Sequence, residues 1–165
     1  MMKLATVLGL GLLLAVAPAG AAPKVKDQTV ATWTTNAGTP DNPRRYEYAL
    51  VVHGGVLERQ EVDYCKGYVG VCPPQGRKSS MSIKLSNVKA FEADTLEGQT
   101  LEGHVMPKVY RIGLKARADH DMLDKGPSGT YRNNGVPGFA VFPADQKALR
   151  DETYKKLCEM IGQTP

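Results

Sequence analysis

The chain has 165 residues, with 21 Lys and Arg against 17 Asp and Glu, a formal net charge of +4 and 42% hydrophobic residues. That is enough sequence for one domain with its own core. So mild a positive balance is not the dense basic face of a nucleic-acid-binding domain, and no apolar run is long enough to span a bilayer.

Met1 to Ala21 has the parts of a secretory signal: Lys3 near the start, an apolar run from Leu4 to Val16, and the small residues Ala19, Gly20 and Ala21 before the expected cut. Cleavage after Ala21 takes 21 of the 165 residues, leaving residues 22–165 as a single 144-residue domain. Loss of Lys3 lowers the charge from +4 to +3. The destination is the periplasm or the exterior, where thiols oxidise.

Thr29 to Thr35 is rich in β-branched residues, holds the single tryptophan, Trp33, and reads as a first strand. Asn36 to Pro43, with Gly38, Pro40, Asp41 and Asn42, reads as a loop. Arg45 to Cys65 then reads as one β-hairpin around His53-Gly54-Gly55. Tyr46, Tyr48, Leu50 and Val52 alternate with Arg45, Glu47, Ala49 and Val51, the period of a half-buried strand. A three-residue loop puts Val52 opposite Val56 and Tyr46 opposite Val62, and gathers the apolar side chains on one face.

Cys65 and Cys72 enclose a six-residue loop with two glycines, and proximity favours a Cys65–Cys72 disulfide over one to Cys158. Closing so short a loop contributes about 2–3 kcal/mol in the loop-entropy model. Cys158 is then expected as a buried, inert thiol on a helix face. Pro73 to Lys78 is a further connection, and Ser80 to Ser86 alternates as a strand with Met81, Ile83 and Leu85 on one side. Thr95 to Gly98 and Thr100 to Gly103 form a small near-repeat, read as strand edges about a turn.

Val109 to Ala118 alternates again, with Tyr110, Ile112, Leu114, Ala116 and Ala118 against Arg111, Lys115 and Arg117. His120 to Pro137 is dense in Gly, Pro and Asn and reads as a long loop that turns at Asn133-Asn134-Gly135 into a short strand, Gly138 to Phe142. Gln146 to Ile161 has the apolar stripe of a core-facing helix through Leu149, Tyr154, Leu157, Cys158, Met160 and Ile161. Asp145 is its expected N-cap and Gly162 its C-cap, and Asp151 and Glu152 precede Lys155 and Lys156 by one turn. The expected class is α+β: mostly antiparallel sheet, as a small sandwich or partly open barrel, with one C-terminal amphipathic helix.

No convergent catalytic set is visible. Phosphate-cradling glycine motifs, GxSxG and HExxH are absent from the mature sequence, so no cofactor is expected. The stripe of Arg111, Lys115 and Arg117, extended by Lys84, Arg77 and Lys78, is the candidate binding surface for an anionic polymer or the acidic face of a protein. These features point to an exported, non-enzymatic binding module, inhibitor-like or immunity-like, with Gly126 to Gly138 as a recognition loop. The alternative is a small metal-assisted hydrolase using Asp119-His120-Asp121, with His104 as a further candidate ligand.

Overall fold

In the computed structural model the described residues are 25–39, 42–64, 75–97, 100–101, 104–105, 107–118, 121–133 and 135–165. The expected secretory signal, Met1 to Ala21, lies outside them, as do Cys65 and Cys72.

Alternating sequence makes two antiparallel sheets. The larger has six strands: β1 (Gln28–Thr39), β2 (Asn42–His53), β3 (Val56–Tyr64), β4 (Arg77–Lys84), β9 (Met122–Gly126) and β10 (Gly129–Asn133), side by side in that order. The smaller has β11 (Gly135–Pro143), β8 (Val109–Ala116) and β5 (Val88–Leu96). A two-stranded ribbon pairs β6 (Thr100–Leu101) with β7 (His104–Val105), and the sheets do not close into a barrel. The helix α1 (Lys147–Ile161) follows a single 3₁₀ turn at Ala144–Gln146. Among the described residues no helix is long and apolar enough to cross a membrane.

The hairpin departs from expectation by one residue, and that residue decides which faces are buried. His53 stands opposite Val56 and Val52 opposite Leu57, so the loop is the two residues Gly54 and Gly55 alone. Their φ angles of 55° and 75° are those of a type I′ turn, whose twist matches the flanking strands. A one-residue change of register exchanges the faces of β3. Leu57, Arg59, Glu61 and Asp63 therefore share the inward face with Tyr46, Tyr48, Leu50 and Val52, while Val56, Val62 and Tyr64 turn outward.

Charged residues on an inward face need partners, and here they have them. Arg44 pairs with Asp63, and Arg59 Nη2 with Glu61 at 3.3 Å, while Arg59 Nη1 donates to the Phe139 carbonyl at 3.0 Å. Nearer the hairpin turn the inward side chains are apolar. Leu50, Val52, Leu57, Ile83 and Met122 join Phe91, Ile112, Leu114, Phe139 and Phe142 of the smaller sheet in one buried cluster, with Leu157 and Cys158 from the helix. Trp33 bridges the sheets: its indole N–H donates to the Val141 carbonyl at 2.8 Å, and its ring stacks on Phe142 and Tyr48 at 4.4 and 5.0 Å.

Other expectations need correction. The Asn36–Pro43 loop is mostly strand, with Gly38 opposite Pro43. Val88–Leu96, unassigned above, is an edge strand. The expected recognition loop Gly126–Gly138 is largely strand: Pro127 and Ser128 make a two-residue turn between β9 and β10, and β11 begins at Gly135. Gln146 takes the N-cap position in place of Asp145 without a side-chain capping bond, its Nε2 donating instead to the Thr34 carbonyl at 3.5 Å, whereas Gly162 caps the C-terminus at φ 70° as expected. Glu152 meets Lys156 at 2.6 Å, but Asp151 turns back to Lys147 at 2.6 Å.

Candidate functional site

The expected cationic stripe divides into two environments. Arg111 lies directly opposite Asp94 on β5 and grips it with two hydrogen bonds, Nε to Oδ1 at 2.8 Å and Nη2 to Oδ2 at 2.5 Å. Those bonds hold the Asp94 carboxyl below its ordinary pKa and raise that of Arg111. Lys115 reaches Glu92 at 2.5 Å. Along β8 the outward charge is therefore neutralised by its neighbour strand. Arg117, beyond the end of β8, is exposed, and its backbone N–H donates to the Asn87 carbonyl at 2.8 Å.

Asp119 and His120 lie outside the described residues. Asp121 accepts a hydrogen bond from the Ala118 N–H at 3.2 Å, and among the described residues no three His, Cys, Asp or Glu gather as metal ligands. His53 is exposed and pairs with Asp27 through Nδ1 at 2.6 Å. Cys158 is fully buried with a free thiol, and burial pushes its pKa up, as expected of an inert cysteine.

Arg117 belongs to a site that the strand pattern did not suggest. A half-open cavity of about 770 Å³ lies where the β2–β3 turn, a second 3₁₀ turn at Leu85–Asn87 after β4 and the C-terminus of α1 converge. Its apolar lining is Val25, Val56, Leu85, Met160 and Ile161, with Lys84 and Arg117 beside them. Val56 lines it because the two-glycine turn sends that side chain outward, directly opposite Lys84 on β4.

Specific bonds hold the walls. The Leu85 N–H donates to the Gly55 carbonyl at 2.9 Å, fixing the hairpin tip to the 3₁₀ turn. Asp27 accepts from the Gly54 N–H at 2.8 Å, which anchors the segment that carries Val25. At the helix end, the Gln163 side chain bonds both the N–H and the C=O of Phe91 at 2.8 Å, covering part of the free edge of β5. Gly162 and Gln163 N–H groups cap the Glu159 and Cys158 carbonyls.

The four aliphatic or thioether side chains of Val25, Val56, Met160 and Ile161 are only half-buried. A concave apolar surface of this size is suited to a small apolar ligand. Two smaller hollows, of about 540 and 450 Å³, lie elsewhere and draw on polar residues such as Thr32, Thr34, Gln60 and Ser80. The sequence signal for the larger cavity was the run of the helical stripe into Met160 and Ile161 at the very end of the helix. The partners of those residues, apart from the helix cap Gly162, come from segments more than 40 positions away in the chain. No protein-family model matches this chain, and no curated protein or solved structure matches it significantly.

Proposed function

We propose that this chain is an exported binding module, without catalysis of its own, that receives an apolar chain in the cavity at the hairpin end. The observation that carries the proposal is half-buried Val25, Val56, Met160 and Ile161 lining about 770 Å³. Among the ligand classes open to such a module, a component of the envelope or exterior bearing an alkyl chain fits this lining better than a purely polar polymer. Burying each methylene contributes about 0.8 kcal/mol. About ten carbons would contribute about 8 kcal/mol if fully buried, and ordering costs offset a few kcal/mol of that, so such a chain should bind with a Kd on the order of tens to hundreds of micromolar. Export to the periplasm or exterior rests on the pattern of Met1 to Ala21.

The test is titration of the mature protein with a fluorescent alkyl-chain probe. Ile161→Glu should abolish the signal, and Met160→Gln should weaken it several-fold, with melting curves confirming that both variants fold. Undiminished probe binding by two folded variants would remove this cavity as the site.

A further inference from the structure

We infer that the ligand of this cavity carries one anionic head group on its alkyl chain, and that Lys84 and Arg117 recognise it. The inference rests on the apolar-pocket reading above and adds the head-group chemistry.

Its basis is where the unpaired surface cations lie: Lys26, Lys78, Lys89, Lys125 and Lys155 are also exposed without an ion pair among the described residues, but none of them lines this cavity. Lys108, Arg111, Lys115, Lys147 and Lys156 each hold a carboxylate within 2.8 Å. Among the described residues neither Lys84 nor Arg117 forms an ion pair, although both are exposed and both line the same cavity. They reach it from different elements. Lys84 ends β4, and Arg117 follows β8, tied by its backbone to Asn87. The carboxylate nearest the hairpin tip, Asp27, is engaged by the Gly54 N–H and by His53. The helix presents its negative end here, but Gly162 and Gln163 N–H groups take up the carbonyls of Glu159 and Cys158. An apolar floor with two cations at its mouth complements an anionic amphiphile: the chain enters, and the head stays at the solvent boundary beside both side chains. A carboxylate and a phosphate monoester share that chemistry.

The experiment compares four probes of equal chain length, the charged ones below their micellar concentrations and the alcohol below its solubility limit: dodecanoate, dodecyl phosphate, dodecanol and dodecyltrimethylammonium. Calorimetry on the mature protein should find dodecanoate or dodecyl phosphate about tenfold tighter than dodecanol, as two solvent-screened charges allow. The ammonium should bind weakest. The better-bound anion identifies the head group. Lys84→Gln/Arg117→Gln should erase the preference without altering dodecanol affinity, whereas Arg111→Gln/Lys115→Gln should leave both affinities unchanged. Equal binding of anionic, neutral and cationic probes would overturn the head-group inference while leaving the apolar pocket standing. Binding of none of the four would overturn both.

Discussion

The outward face of β8 and the mouth of the cavity are built from the same residue types, and what lies across from each cation separates them. Arg111 pairs with the carboxylate directly opposite and Lys115 with the diagonal Glu92 on the neighbouring strand, whereas Arg117, two positions beyond Lys115 in the same alternation, lies past the strand end beside apolar surface. A row of positive residues becomes a recognition surface only where the fold leaves its charge uncompensated. Arg111 and Lys115 tie neighbouring strands of one sheet together; Lys84 and Arg117 form no ion pair among the described residues.

This contrast can be broken by ranking cations according to burial and pairing. The largest loss of stability belongs to Arg59, whose side chain is 11% exposed and is held by both Glu61 and the Phe139 carbonyl. Arg59→Met leaves a half-buried carboxylate without its cation and unties the two sheets, so denaturant unfolding should show a loss of about 2–4 kcal/mol. Arg111→Gln comes next, at about 0.5–1 kcal/mol, because the Asp94 carboxylate is well exposed and the pair is screened. Its pH dependence has a defined sign. The folded pKa of Asp94 lies below its ordinary value of 3.8, so the pair's stabilisation is present above that pH and lost as pH falls through the folded pKa. The wild-type and Arg111→Gln stability curves should therefore differ at neutral pH and converge in acid. Lys115→Gln should cost less than about 0.5 kcal/mol, and Lys84→Gln should leave melting unchanged while weakening anionic ligands. Destabilisation by Lys84→Gln equal to that of Arg111→Gln would erase the distinction between the two surfaces.

How much of this was legible in sequence depended on whether the information was local. The clean alternations in β4 and β8 and the apolar stripe of α1 place Met81, Ile83, Tyr110, Ile112, Leu114 and Leu157 on the sides they occupy. The hairpin resisted for a physical reason. Gathering the valines favours a three-residue loop, but two consecutive glycines satisfy a type I′ turn, and ion pairing lets Arg59, Glu61 and Asp63 face inward. Between residues 126 and 138, a two-residue turn and strand ends account for much of the glycine and proline that resembled one long loop. The cavity itself was out of reach. Its walls come from residues 25, 54–56, 84–86, 117 and 160–162, and no local pattern records that these meet.

The central claim, that this cavity receives the alkyl chain of an anionic ligand, is tested most directly by photo-crosslinking the mature protein with a long-chain fatty acid bearing a diazirine near its tail. Mass spectrometry of the digested adduct should find the label on peptides containing Met160 and Ile161 or Leu85 and Ser86, with loss of labelling when unlabelled fatty acid competes. Labelling concentrated on the outward face of β8, or spread evenly and insensitive to competitor, would contradict the account.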